Sequence, residues 1–504
     1  MTSSNSDSTV SSKKPGKGLP IDPWLLVILI IAFSIRLYGI TAPLVDFSSW
    51  RQVDTASIAR NFAEHEFNIL HPQLEYDGPG PNYGQLEFQI TTFIIAILFK
   101  IGGVSDVLAR IVPVFFFTGA VLFLYLLVKR YTDRLTANLA ALIFAILPMG
   151  VFYGRAVQPE AAMLFFGIAS LFYFSVWCEK QDRRSFSLAA VAGALSVLAK
   201  LPNIFLFIPV LAIAWDRFGG RTMKNWWIII YYAIILGVTT VFFVYSSWLV
   251  SHFGSHYDYH NYAKPTIITG KFVSNVTAKH VIPQMLTAIT SPEGTGYFSK
   301  FLPAALTPVG IILLLIGLIP FRVGFREHRL KPFYAWAGAM LLYAITIAAV
   351  IRIDYYLVPL LPIAAFFMAR SLGLLLKYKA TWAIAAILAG VIGYQSYQAV
   401  SPLYKQDSSL YKFGIELKGI LRPHEPVILG SYNPAILYYS GHRGWRSNNL
   451  SLDSFEFLRS HGAGYYVPLN SAKERELLLY LKDHYKLHTT KSGCGYFDLK
   501  DQVH

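Results

Sequence analysis

Eleven apolar stretches, each close to the length needed to cross a bilayer, run through this 504-residue chain and limit what it can fold into. They lie at 22–40, 105–128, 134–152, 159–178, 185–200, 202–216, 226–249, 301–320, 332–351, 354–375 and 380–398. Only 14% of the residues are charged, against roughly a quarter in soluble proteins, so the chain reads as an integral membrane protein. The formal charge of +15 does not point to nucleic acid, because the basic residues sit in short clusters between apolar runs. Two cysteines, Cys178 and Cys494, give no disulfide framework, and no Cys/His cluster has zinc spacing.

Six basic clusters set the topology. They are Lys13/Lys14/Lys17, Lys129/Arg130/Arg134, Lys180/Arg183/Arg184, Arg217/Arg221/Lys224, Arg322/Arg326/Arg329/Lys331 and Lys377/Lys379. With all six in the cytoplasm the stretches pair off two by two. A twelfth apolar run, 88–100, is then an interfacial helix on the outer surface, since a crossing there would invert every later loop. Residues 1–20 read as a disordered cytoplasmic tail with no cleavable signal peptide, followed by a transmembrane region over 21–400. The long loops 41–104 and 250–300 and the last hundred residues all face outward. The segment 401–504 alternates strand-like and helix-like pieces ("EPVILGS", "NPAILYYSG", "GAGYYVPL", "AKERELLLYLKDHY", "GCGYFDLK"), which predicts a small extracytoplasmic α/β domain. It has no glycine-rich phosphate fingerprint and no nucleophile motif.

The loop directly after the first stretch is polar and rich in carboxylates and aromatics: "DFSSWRQVDTASIARNFAEHEFNILHPQLEYDGPGPNYGQLEF" over 46–88. Within it "VDTASIARNF" (53–62) reads as a short amphipathic helix with Asp54 at its N-terminus, where free amides and the helix dipole favour a carboxylate. Further motifs are "LEYDGPGPNYGQLEF", "FYGRAVQPEAAMLF" (152–165), "LAKLPN" (198–203) and "RIDYYLVPLLP" (352–362), all at outward turns.

In these pieces the chain resembles the GT-C superfamily of membrane glycosyltransferases. It is similar in particular to the dolichyl-phosphate-mannose protein mannosyltransferases and the bacterial aminoarabinose transferases. The resemblance implies an all-α polytopic fold, a first external loop bearing catalytic carboxylates, and a polyprenyl-phosphate-linked sugar as donor. In the family an acidic residue lies about seven positions before the Ile of the amphipathic helix. That spacing here falls on Arg51, so either Asp54, shifted by a turn, or Asp46, from upstream, takes the role. Asp77 matches a second family acid, with Glu75 and Glu87 beside it. The lysine that often follows this acid in the aminoarabinose branch is replaced by Gly78. Pro159–Glu160 matches a Pro–acid pair, with Arg155 before it, and Lys200 matches a basic residue in an outward turn.

Sugar transfer from a lipid phosphate needs a base for the acceptor and cations for the departing phosphate. The resemblance therefore assigns Asp54 or Asp46 as the base, acting directly and so with inversion. Asp77, Glu160 and Glu75 orient the acceptor, the sugar or a divalent cation. Lys200, Arg155 and Arg352 hold the lipid phosphate, and Trp50, Tyr76, Tyr83, Tyr355 and Tyr356 stack on sugar. Each has a plainer reading as a helix cap, a membrane anchor or a structural partner. The run "HYDYHNY" (256–262) reads as a polar loop, and the sequons at 275–277 and 449–451 matter only in a eukaryotic secretory host. Two other readings are a lipid-linked glycan polymerase or ligase and a transporter or flippase. A transporter places its charges mid-span, whereas here they cluster at span ends. The expected setting is a bacterial inner membrane with the site facing outward. The partners are the bilayer, the lipid-linked sugar and an acceptor of unknown kind, without nucleic acid.

Overall fold

A computed structural model describes residues 22–502 apart from 85–86, 254–282, 284–285, 288–289, 321–326, 349–350 and 470–473. Most of the loop expected at 250–300, with its "HYDYHNY" run and first sequon, lies outside the described residues.

Helices form at all eleven apolar stretches. They comprise α1 (Pro23–Ser34), α4 (Asp106–Tyr131), α5 (Arg134–Ile146) with α6 (Pro148–Tyr153), α7 (Glu160–Lys180), α8 (Arg183–Ala199), α9 (Phe207–Phe218), α10 (Trp226–Phe253), α11 (Pro292–Leu306) with α12 (Pro308–Leu318), α13 (Lys331–Tyr343), α14 (Leu361–Leu375) and α15 (Trp382–Val400). In the loop after α1, α2 (Ser49–Glu64) and α3 (Ile90–Gly102) pack together. Among the described residues six helices are long and apolar enough to cross a membrane, or seven if a bent pair counts as one span. The expectation of eleven crossings is therefore met by helices in the right places but not by length at each. The bent pair is α11–α12, which turn by 90° at Thr307. Pro308 has no N–H to continue the first helix, and the Thr307 hydroxyl accepts from the Gly310 amide at 3.0 Å to start the second.

The start of α1 is fixed by Asp22, whose carboxylate accepts from the Trp24 amide (3.0 Å), Tyr125 (2.8 Å), Asn138 (2.9 Å) and Arg134. One carboxylate so joins α1, α4 and α5 at their shared end. A single apolar core runs through the bundle from Leu25 to Ile392.

The tail adds α16 (Ser408–Ile420), β1 (Val427–Leu429), α17 (Ala435–Ser440), β2 (Gly444–Arg446), α18 (Leu452–Ser460), β3 (Tyr465–Val467), α19 (Arg475–His484), β4 (Tyr485–Thr489) and β5 (Gly495–Gln502). The sheet order is β2-β1-β3-β5-β4, parallel from β2 to β3 and antiparallel beyond. β1, β3 and β5 fall on the predicted strands. β2 was not predicted, because three residues are too few to show alternation, and β4 was hidden because its first residue directly follows the end of α19.

The tail does not form its core alone. Val53, Ala56 and Phe62 of α2 and Ile95 and Phe99 of α3 share one apolar cluster with Leu417, Val427, Leu437 and Val467. The loop segment 75–78 also joins the edge of the sheet. The Gly444 amide donates to Glu75 O at 2.9 Å, and the Gly78 amide donates to Gly444 O at 2.9 Å. Position 444 must be glycine for this, since a Cβ there would run into the Val427 backbone. The loop after α1 and the tail are thus one packed unit over one end of the bundle.

Candidate active site

Helix α2 starts at Ser49, five residues before Asp54, so Asp54 lies in its second turn and does not cap it. The cap reading of this residue is thereby corrected. What fixes the earlier start is Gln52, whose amide donates to Asp46 Oδ1 at 2.6 Å and to Phe47 O at 3.0 Å and whose carbonyl accepts from Arg110 at 3.0 Å.

Asp46 is fully enclosed. Its Oδ2 accepts from Arg110 at 3.0 Å and from Arg155, while Oδ1 is taken by Gln52. Arg110 also donates to Ala42 O and Pro43 O, and Arg155 to Gly39 O at 2.8 Å. All three charged side chains have no exposed surface. This is a clamp that ties the incoming loop to α4 and to the turn before α7. Both Asp46 oxygens are taken, and Arg155 keeps only an enclosed Nε without a partner among the described residues, which argues against both assignments. Removing one partner of such a buried pair leaves the others uncompensated and costs about 3–5 kcal/mol. Asp46→Asn is expected to lower the thermal unfolding midpoint in detergent strongly, with donor affinity per folded molecule kept.

Asp54 differs in kind. Its Oδ2 accepts from the Tyr76 hydroxyl at 3.3 Å, and its Oδ1 is buried without a hydrogen-bond partner among the described residues. Burial pushes its carboxyl above the ordinary range, and Arg446 and then Arg51 pull it partly back. The same burial pushes the Tyr76 phenol well up, so Tyr76 stays a donor. Arg446, on β2, stacks over the Tyr76 ring at 3.5 Å and donates to Tyr432 O at 2.7 Å. The sheet edge formed with residues 75–78 is what carries this arginine to the α2 carboxylate.

Arg51, one turn before Asp54, pairs with Glu87 and lies within electrostatic reach of Tyr355, Glu160 and Asp54. Glu160 begins α7 and Lys200 caps the end of α8, and because these helices form an antiparallel pair the two meet as a largely buried ion pair. The Lys200 ammonium also sits 4.4 Å from the Tyr355 ring and 4.2 Å from the Tyr356 ring, which stack on each other. Glu160 Oε2 has no partner among the described residues, nor has either amide atom of the fully buried Gln158 two residues earlier. Three carboxylates (Asp54, Glu87, Glu160) and three cations (Arg51, Lys200, Arg446) therefore share one end of the bundle under α2.

Of the other predicted residues, Glu75 lies within electrostatic reach of Asp54 and Asp77 within reach of Tyr76. Tyr83 donates to Glu66 at 3.1 Å and meets the His71 ring edge-on. Arg352 pairs with Glu293 at 3.5 Å and is well exposed. Glu75 pairs with Arg60, and Asp77 holds a positive φ of 75° at the turn after Tyr76. Trp50 is exposed at the first turn of α2. Sequence reasoning missed Arg446 and Gln158 and gave Arg51 no role. Among the described residues no three His, Cys, Asp or Glu side chains are spaced to hold a metal ion, so no residue is assigned to one.

The family model described as dolichyl-phosphate-mannose-protein mannosyltransferase matches residues 90–248. No functionally curated protein matches the chain. Among solved structures, ArnT from Cupriavidus metallidurans bound to undecaprenyl phosphate is 10% identical with a TM-score of 0.62, over 94% of this chain and 97% of that one. The archaeal oligosaccharyltransferase AglB from Archaeoglobus fulgidus, in complex with an inhibitory peptide and a dolichol-phosphate, is 14% identical with a TM-score of 0.56, over 94% of this chain and 74% of that one. An oligosaccharyltransferase of Archaeoglobus fulgidus in complex with Zn and sulfate gives 14% identity and a TM-score of 0.62, over 94% of this chain and 73% of that one. The helical bundle, the carboxylate-rich loop after the first helix and these likenesses agree on one point: the chain shares the fold of the transferases ArnT and AglB.

Proposed function

We propose that the protein is an inverting glycosyltransferase that moves a monosaccharide from a polyprenyl-phosphate carrier to an acceptor at the outer face of a bacterial inner membrane. The observation that carries this reading is the buried, half-unpartnered carboxylate of Asp54 within reach of Arg51, which in turn lies within reach of the Glu160–Lys200 pair at the end of the bundle. Asp54 Oδ1 accepts the proton of the acceptor hydroxyl or amine as that atom attacks the anomeric carbon. The bond from that carbon to the phosphate oxygen breaks, and the lipid phosphate leaves with the electron pair. Lys200 and Arg51 meet the charge that develops on the phosphate, and fixed, partly desolvated cations act strongly there. Tyr355 and Tyr356 form the wall beside it. Attack assisted by one base in a single displacement inverts the anomeric centre. The bound polyprenyl phosphates of the two structural relatives support the donor class.

Purified protein supplied with a polyprenyl-phosphate monosaccharide is expected to transfer sugar to an envelope extract. Turnover with a soluble nucleotide sugar in lipid-free detergent overturns the donor assignment, and preference for an oligosaccharide lipid moves the reading to a ligase.

Arg446 has its own expected signature. A cation beside a carboxylate favours the ionised form and lowers its pKa, so its removal raises that of Asp54. The base must be ionised to work. Arg446→Gln should therefore shift the acid limb of kcat/KM to higher pH, with rates converging on wild type at alkaline pH. A loss equal at every pH reduces Arg446 to a domain contact.

A further inference from the structure

A cavity of about 810 Å³ lies between the second half of α2, the 73–81 segment, the start of α4 and the tail. It is not the Asp54 centre, and nothing in the transfer chemistry uses it. Its size suits a ligand of a few rings. Its walls mix apolar residues with charged and amide side chains and three tyrosines, so an acyl chain would have to cover charged groups. They are also unsuited to a strongly charged ligand, because Arg60, Lys418 and Arg443 are balanced by Glu64, Glu75 and Asp106.

What the walls offer is fixed donors and acceptors beside aromatic faces. Arg443 is held by Asn61 at 3.0 Å and Gln73 at 3.3 Å, which fixes its guanidinium plane. The hydroxyls of Tyr438 and Tyr439 are both turned to Asp106, at 3.4 and 2.8 Å, so their rings stand as rigid walls. Glu75 is almost fully buried, and its Oε2 has no hydrogen-bond partner among the described residues. A buried carboxylate oxygen without a donor is costly, and a ligand hydroxyl would supply one. Hydroxyls for Glu75 and Arg443, with the exposed ring of Tyr411 for an apolar face, describe a carbohydrate.

The cavity is also aligned with the reaction centre. Asn61, on its wall, follows Asp54 by seven residues on α2, which places it on the same face about 10 Å further along. We propose that this cavity is a saccharide subsite that binds the non-reacting sugars of a neutral glycan acceptor, whose terminal hydroxyl reaches Asp54. Binding energy from the remote sugars positions the reacting end. The word acceptor rests on the transfer reading above, whereas the saccharide class rests on the cavity alone.

The test needs no knowledge of the sugar. Benzoylphenylalanine is placed at Lys418 or at Tyr411 in the full chain, illuminated in the producing cells, and the adduct is identified by mass spectrometry of the purified protein. The expected result is a ladder of hexose-type masses on the peptide carrying the probe, reduced about tenfold by Arg443→Gln. A peptide adduct, an acyl-chain adduct or no adduct from either site overturns the proposal, as does an adduct yield that Arg443→Gln leaves unchanged. In the Asp54→Asn background the glycan adduct should persist, so the cavity and the base are tested separately. A glycan adduct on a protein that refuses polyprenyl-phosphate donors would leave the subsite standing and sink the donor reading.

Discussion

Asp54→Asn is expected to lower turnover by roughly 10² to 10⁴ while the protein still folds and binds donor lipid, the usual worth of a positioned general base. The substitution keeps the shape and an oxygen for the Tyr76 hydroxyl but removes the negative charge. Folding should not suffer, because Asp54 does not cap α2 and its Oδ1 has no partner to lose among the described residues. Loss of a buried charge even relieves a desolvation cost. The pH dependence supplies an independent check. Burial raises the Asp54 carboxyl, so the wild-type rate should fall on acidification at a pH above the ordinary aspartate range as the base takes up its proton. Near-normal turnover in Asp54→Asn would reduce α2 to a platform and move suspicion to Glu160. Asp46→Asn is the contrasting case, with loss of stability and no specific loss of chemistry per folded molecule.

Parts of this centre were legible in the chain, and the reason is sequence distance. Apolar runs of bilayer length give helices wherever they occur, so the bundle was readable from hydropathy alone. Glu160 and Lys200 were each singled out at outer turns, but their pairing was not, since the plainer reading gave Glu160 to Arg155, which binds Asp46 instead. Asp54 was singled out, but for a reason that fails: the helix does not begin there, since the pull of Gln52 on Asp46 and Arg110 lies outside any local pattern. Asp46 looked as catalytic as Asp54 because its two arginines come from 64 and 109 residues away. Arg446 was invisible for the same reason in stronger form. Its route to Asp54 runs through a three-residue strand and two backbone hydrogen bonds to a loop nearly 370 residues earlier, and neither leaves a periodic signal. Sequence patterns report what a residue's own segment does. They do not report which distant carboxylate it will neutralise.

Lys200→Gln is expected to lower kcat by roughly 10² to 10³, the scale seen when one fixed group that stabilises developing charge is removed. The ambiguity is that Lys200 also neutralises buried Glu160, so the single variant leaves a carboxylate without its counter-ion. Stability and catalysis therefore need separating by a double-mutant cycle. Glu160→Gln with Lys200→Gln makes a neutral pair of nearly unchanged size. If the pair is only structural, the double variant should recover both the unfolding midpoint and turnover. If Lys200 meets the lipid phosphate, the double variant should recover the midpoint and stay slow, because no ammonium faces the leaving group between Tyr355 and Tyr356. Lys200→Arg adds a further distinction. Guanidinium keeps the charge but spreads it over a plane that the space between Glu160 and the two rings was not built for, so partial activity is expected. Full recovery of turnover in the neutral double variant would remove Lys200 from the chemistry and leave Arg51 as the cation at the phosphate.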